Sequence, residues 1–236
     1  MNVAIIAAGG RGERLGGERP KQFLSLGGKP IIIHTLHRFE RAAMIGEVVV
    51  VLPPTDVAGF ITLTTKYNLR KLVRVVPGGQ TRSESVYKGL QTLRSATTGI
   101  VAVHDGVRPF VTPEEIDRTV GAAAEFGAAI LMAPPIDTIK EVAKGHVVRT
   151  LPRASLRHAL TPQCFRYDII RRAYEDAIHA GSAGTTDDSA LVERMGIAIA
   201  VIDGDPRNIK ITRPQDLMLA ELLIKDFQDD AQEGWS

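Results

Sequence analysis

The sequence predicts a three-layer, doubly wound α/β fold with a mostly parallel sheet and a projecting β-hairpin arm. Three observations carry this. Short β-branched runs recur, segments with helical spacing separate them, and one stretch breaks the alternation. Runs that are apolar at every position suit strands covered on both faces, which is the condition of a parallel sheet between two helical layers.

The first run is Val3 to Ala8, followed at once by a glycine-rich loop. Pro30 begins a helix that reaches about Arg41; proline is tolerated in a first turn, where its missing N–H has no intrahelical partner. Further strands are expected at Glu47 to Leu52, Leu72 to Val76, Ile100 to His104, Ala128 to Ala133 and Ile197 to Ile202. Thr81-Arg82-Ser83-Glu84 and Thr112-Pro113-Glu114-Glu115 read as capping boxes that start helices, and Thr212-Arg213-Pro214-Gln215 opens the last long one. Between Pro134 and about Pro162 no crossover helix of the required length fits. Instead, Asp137 to Val142 and His146 to Leu151 flank a Lys144-Gly145 turn. The reading is a single domain, residues 1–236, with 134–162 inserted as an arm. A hairpin has too little core to stand alone, so the arm is expected to pack on a second subunit; the alternative is a surface hairpin lying on its own domain. The acidic tail from Asp226 to Ser236 is expected to fray.

Composition narrows the class. The chain has 236 residues, 44% hydrophobic and 24% charged, which excludes collagen, coiled coil and wholesale disorder. A formal net charge of +2 is far from the density that phosphate-tracking nucleic-acid proteins need, so any positive field is local. The single cysteine, Cys164, excludes an intrachain disulfide and a thiolate metal cluster, and is expected to be a small buried residue. No apolar run approaches the ~20 residues of a membrane span, and no basic segment precedes Val3. A cytoplasmic protein with neither nucleic-acid nor membrane partners is expected.

The chemistry gathers after the first strand. There the chain runs Ala7-Ala8-Gly9-Gly10-Arg11-Gly12-Glu13-Arg14-Leu15-Gly16 and then Pro20-Lys21-Gln22. Glycines at that place let backbone N–H groups approach a phosphate closely. The Walker A pattern lacks its GK[ST] ending, and the dinucleotide pattern fails where Leu15 replaces its third glycine. Arg14 and Lys21 suit a polyphosphate whose charge grows during reaction.

This loop, from Ala7 through Arg14-Leu15 to Lys21-Gln22, resembles the signature loop of the cytidylyltransferases. In order along the chain, Gly78 to Val86, His104 to Pro109, Asp137 to Lys140, Leu160 to Gln163, Thr186-Asp187-Asp188 and Asn208 to Pro214 resemble the family that acts on 2-C-methyl-D-erythritol 4-phosphate, covering about residues 2–224. The resemblance implies transfer of CMP from CTP to that phosphate with release of pyrophosphate, with Mg2+ as cofactor. In-line attack on the α-phosphorus needs no protein nucleophile, which leaves positioning and charge stabilisation as the catalytic work.

By the same resemblance, Arg14 and Lys21 hold the CTP phosphates, while Arg153 and Lys210 hold the attacking phosphate. Ala7, Ala8, Gly9, Gly12, Gly79, Gln80, Ser85 and Gly106 would contact the nucleotide, and Asp105 would be a hard oxygen ligand or outer acceptor for Mg2+. Arg108, Thr138, Thr161 and Thr186 would complete the polyol-phosphate site, and the arm would form a homodimer. The glycine loop has one residue more than the common family pattern, and position 80 is often an acid in relatives.

Ribitol or ribulose 5-phosphate cytidylyltransferases share the loop and a segment like His104 to Phe110, but Thr186 to Leu191 and Arg153 to Gln163 favour the methylerythritol enzyme. A dinucleotide-dependent oxidoreductase would place an acid near the end of the second strand, which here ends Val51-Leu52-Pro53-Pro54. A non-catalytic nucleotide sensor would not need the complete cationic set. His34 and His37 read as helix-surface residues, and Asp187 with Asp188 as acids at a helix N-terminus.

Overall fold

A computed structural model describes residues 1–10, 20–181 and 187–233, with side chains in the last helix as far as residue 226. The strands are β1 (Val3–Ala7), β2 (Ser25–Leu26), β3 (Lys29–Pro30), β4 (Glu47–Leu52), β5 (Leu72–Pro77), β6 (Ile100–Asp105), β7 (Ala128–Ala133), β8 (Lys140–Ala143), β9 (His146–Thr150), β10 (His158–Arg166) and β11 (Ala200–Asp203). The helices are α1 (Ile31–Arg41), α2 (Val57–Thr64), α3 (Arg82–Gln91), α4 (Pro113–Phe126), α5 (Tyr167–His179), α6 (Ser189–Glu193) and α7 (Pro214–Glu233).

Seven strands form one sheet in the order β11-β7-β10-β6-β1-β4-β5. All neighbours are parallel except β10, which runs antiparallel to both β6 and β7. Alternation along β1 sends Ala4 and Ile6 to the face covered by Ile32, Leu36 and Phe39 of α1 and Ile116 and Val120 of α4. Val3 and Ile5 point the other way, onto Val86 and Leu90 of α3 and Ile170 and Tyr174 of α5. That period of two, between helices on both sides, is the expected three-layer α/β sandwich. A third cluster, including Leu26, Phe110, Ile211 and Ala220, seats α7 against β2.

The helix starts follow the expected chemistry with variations. Thr112 and Glu115 form a complete capping box. Thr81 accepts from Glu84 N, but the Glu84 carboxylate turns to Gln80 N at 2.7 Å, so that box is only half closed. At α7 the capping acid is Asp216, whose Oδ2 accepts from the backbone of Thr212 and Arg213.

The hairpin β8–β9 stands out from the sheet, exposed along its whole length. Lys144 and Gly145 at its tip both have positive φ, as a two-residue primed turn requires. Its extent needs correction. Residues 158–162, assigned to the arm from sequence, belong to β10 in the central sheet. Because β10 is antiparallel to β7, the connection needs no crossover helix, which is why the alternation broke. Pro162 falls where the β10–β7 register skips from Ala159 to Gln163, so its missing N–H costs no ladder bond. Two smaller expectations also change. The last strand is Ala200–Asp203 rather than 197–202, and the helix α7 continues through the tail to Glu233, with no glycine or proline before Gly234 to stop it. No described helix is long and apolar enough to cross a membrane.

Candidate active site

From β1 the chain steps to β4 and β5 on one side and then to β6 on the other, so strand order reverses beside β1. In open α/β sheets ligands bind at such a switch point, outside the carboxyl ends of the strands. A cleft of about 640 Å³ opens there, between the Ala7–Gly10 turn, the Gly78–Gln80 turn, Lys21, Asp105 and Lys210.

One wall is built for a close backbone approach. Gly78 N donates to Leu52 O at 2.7 Å, tying the turn after β5 to the end of β4, and Lys88 Nζ donates to Gly78 O at 2.8 Å. Ser85 Oγ accepts from Gly79 N at 3.1 Å and donates to Thr81 O at 2.9 Å. A side chain at position 79 has no room, since its Cβ would lie 2.4 Å from Glu84 Cβ. Opposite, a Cβ at Gly106 would lie 2.9 Å from that of Ala8, and Gly106 N donates to Ala7 O at 2.9 Å.

The electrostatic centre is Asp105, the last residue of β6. Its Oδ1 accepts from Arg82 Nε at 3.0 Å, while Oδ2 lies 2.8 Å from Lys210 Nζ and 3.6 Å from Arg108 Nε. Burial alone would push the carboxyl up, but Arg82, Lys210 and Arg108 together hold it well below the usual carboxylate range. Behind it, His104 Nε2 faces Arg108 O at 3.1 Å and its Nδ1 meets Thr161 Oγ1 at 2.9 Å. Thr161 Oγ1 also accepts from Asp105 N at 3.3 Å, and Asn208 Nδ2 donates to Thr161 O at 2.9 Å.

Ala7, Ala8, Gly9, Lys21, Gly79, Gln80, Ser85, Asp105 and Lys210 line the one cleft. Gly106 supports the wall from behind. Arg108 and Thr161 lie beneath Asp105 rather than facing the cleft: Arg108 Nη1 donates to Asn208 O at 2.6 Å, and Thr161 is 4% exposed. Thr138 and Arg153 are exposed, at the base of the arm, and neither lines the cleft of its own chain. Gly12, Arg14 and Thr186 lie outside the described residues.

Three functional-site neighbours escaped the sequence reading. Arg82, the first residue of α3, bridges Asp105 to Asp188, with Nη2 2.7 Å from Asp188 Oδ2. The other Asp188 oxygen accepts a short hydrogen bond from Tyr174 OH. Both acids stand at the start of α6, Asp188 as its N-cap residue, but Asp187 Oδ1 accepts from Ser189 N at 3.1 Å while the Asp188 side chain turns inward. Arg82 and Asp188 fall within the Gly78 to Val86 and Thr186 to Asp188 motifs, where a helix-cap pattern hid the arginine, whereas Tyr174 belongs to no motif.

Other polar residues are structural. Cys164 is fully buried, and burial pushes its thiol up. His34 Nε2 is bonded to Leu26 O at 2.7 Å. No cluster of three or more His, Cys, Asp or Glu suited to a metal occurs among the described residues.

Residues 2–226 match the model of the family 2-C-methyl-D-erythritol 4-phosphate cytidylyltransferase. Among proteins of that name, the one from Pelotomaculum thermopropionicum is 45% identical over 234 residues, 98% of each chain. That from Geobacillus thermodenitrificans is 44% identical over 221 residues, 94% of this chain and 96% of the relative. Solved structures agree. The 4-diphosphocytidyl-2C-methyl-D-erythritol synthase of Anaerococcus prevotii superposes with a TM-score of 0.85 at 29% identity, covering 95% of this chain and 96% of that one. The 2-C-methyl-D-erythritol 4-phosphate cytidylyltransferase of Thermus thermophilus gives 0.75 at 34% identity, covering 95% and 98%. With its motifs, its switch-point cleft and its full-length relatives in agreement, the chain belongs to the 2-C-methyl-D-erythritol 4-phosphate cytidylyltransferase family of nucleotidyltransferases.

Proposed function

We propose that this cleft transfers CMP from CTP to 2-C-methyl-D-erythritol 4-phosphate, releasing pyrophosphate and forming 4-diphosphocytidyl-2-C-methyl-D-erythritol. The observation that carries the reading is the convergence of Lys21, Lys210, Asp105 and two glycine turns on one switch-point crevice, in a chain that this family matches nearly end to end.

The division of labour follows from charge. A phosphate dianion must approach a triphosphate, and negative charge rises on the leaving pyrophosphate, so fixed cations aimed at those oxygens do most of the work. Lys21 meets the CTP phosphates together with Arg14. Backbone groups of Ala7, Ala8, Gly9, Gly12, Gly79, Gln80 and Gly106, with Ser85, receive the nucleoside; at position 80 the backbone N–H is already held by the Glu84 carboxylate. Lys210 is 38% exposed and the most accessible of the three cations on Asp105, which makes it the one free to swing to the attacking phosphate. Arg108 and Thr161 set the floor of the acceptor site, and Thr186 is assigned to the polyol phosphate by resemblance alone.

Mg2+ commonly takes one or two carboxylates together with phosphate oxygens and waters. Asp105 supplies one such carboxylate, and its Oδ2 is released if Lys210 moves to substrate, so the donor set fits. When bound, the ion neutralises charge on the triphosphate.

Thr138 and Arg153 lie away from their own cleft, and the arm exposes Val142, Val147 and Val148. We therefore propose a homodimer in which each arm completes the acceptor site of the other copy. The compartment is the cytoplasm, consistent with a free, buried Cys164 thiol. Full-length identity to methylerythritol-phosphate enzymes favours this substrate over ribitol or ribulose 5-phosphate. The test is pyrophosphate release from CTP with each polyol phosphate in parallel, with and without Mg2+. Turnover confined to methylerythritol phosphate plus Mg2+ is expected; turnover only with ribitol 5-phosphate overturns the assignment.

A further inference from the structure

We infer that Arg82 is a positioning residue for the transfer, acting through Asp105 and itself locked by Asp188. One guanidinium joins two carboxylates, with Nε 3.0 Å from Asp105 Oδ1 and Nη2 2.7 Å from Asp188 Oδ2. These acids come from elements far apart in sequence, one at the end of β6 and the other just before α6. The bridge is anchored rather than loose. The Asp188 side chain has no exposed surface, its second oxygen is taken by Tyr174 OH, and Tyr174 is packed in the core with 1% exposure.

The remaining guanidinium nitrogen, Nη1, is buried. Arg82 lines the cleft, but its Nε and Nη2 are both committed to carboxylates, so its effect on the transfer passes through Asp105. By fixing Oδ1, it sets where Oδ2 meets Lys210, 2.8 Å away. It also draws on the single negative charge that Asp105 offers to three cations, so Lys210 is held less tightly than in a two-membered pair and is more easily surrendered to a phosphate. Lysine cannot substitute, because a point ammonium lacks the planar fork that spans both acids.

This rests on the proposed role of Lys210 at the attacking phosphate, and the experiment separates the two. Arg82→Lys, Asp188→Asn, their double variant and Lys210→Ala are assayed for kcat and for KM toward each substrate, with thermal melting alongside. Arg82→Lys and Asp188→Asn are expected to lower kcat/KM for the polyol phosphate by roughly 10- to 100-fold while KM for CTP changes less than about threefold. The double variant should be no worse than Arg82→Lys alone, since both act along one path. If Arg82→Lys does not fold, Tyr174→Phe removes only the hydroxyl that anchors Asp188 and should shift the same parameter by about three- to tenfold. Lower melting temperature with kcat and both KM values unchanged would mean a merely structural bridge and would overturn the inference. Full activity in Arg82→Lys beside an inactive Lys210→Ala overturns the inference alone; full activity in Lys210→Ala overturns the Lys210 role on which it rests.

Discussion

The Thr161 hydroxyl donates to His104 Nδ1 across 2.9 Å, joining two antiparallel strands directly beneath Asp105. The direction follows from the other ring nitrogen, because His104 Nε2 faces the carbonyl of Arg108 at 3.1 Å. A carbonyl only accepts, so Nε2 carries the proton and Nδ1 receives one. Full burial pushes this imidazole down from 6.5 to about 4. Above pH 7 it is neutral in both folded and unfolded chains and contributes no pH dependence. As pH falls below 6.5 the unfolded chain binds a proton that the folded one refuses, so stability declines until about pH 4. At pH 5 the loss is about 2 kcal/mol. Urea unfolding of the wild type and His104→Gln at pH 7.5 and 5.0 should show the wild type losing about 2 kcal/mol more than the variant. An equal loss in both would mean His104 is not held neutral.

Lys210 and Lys21 are predicted to affect different stages of substrate use. Lys210→Ala should lower kcat/KM for the polyol phosphate by roughly 10²- to 10³-fold with little change in CTP binding. Lys21→Ala should depress kcat with either substrate saturating, the mark of an interaction strengthened in the transition state. Steady-state pyrophosphate release, with each substrate varied in turn, distinguishes them. A nucleotide sensor without catalysis would show altered CTP affinity and no lost turnover.

Gly79→Ala should weaken CTP binding by at least about tenfold. Its Cβ would be forced to within 2.4 Å of Glu84 Cβ and 2.6 Å of Glu84 Oε2, so the turn must move from its place beside Ser85. Titration calorimetry with CTP reads this directly, and unaltered affinity would remove Gly79 from the nucleotide site.

Breaking the arm contact should abolish activity without unfolding the nucleotide site. Val142 and Val147 are 59% and 62% exposed on β8 and β9, where two apolar side chains gain nothing unless covered. Val142→Asp with Val147→Asp should sediment as a monomer, bind CTP within about threefold of wild type, and lose turnover by roughly 100-fold. A fully active monomer sinks the two-chain acceptor site.

Thr112→Ala should cost about 1 kcal/mol, because it opens the reciprocal cap in which Thr112 Oγ1 accepts from Glu115 N and Glu115 Oε2 from Thr112 N. Urea midpoints at neutral pH measure it, with kcat unchanged because α4 starts away from the cleft lining.

What the sequence determined by itself was everything set by neighbours a few residues apart. Strands announced themselves as runs of Val, Ile and Ala, the helices α3 and α4 by threonines at their caps, and the arm by the Lys144-Gly145 turn with both residues at positive φ. The glycine turns and Lys21 could be assigned to one site because their motifs resemble the family's nucleotide loop and turn. Tertiary structure alone decided whatever depends on a distant partner. Residues 158–162 joined the central sheet because β6 and β7 left a gap for an antiparallel strand, a pairing that no local pattern reveals. Asp188 turned from a helix start to Arg82, 106 positions away, since a buried carboxylate must find a cation and a donor. Arg108 and Thr161, which look like ligand-facing residues in sequence, instead shape Asp105 from below. Local pattern reveals which side chains carry the right chemistry; packing decides which of them face the cleft and which hold the others in place.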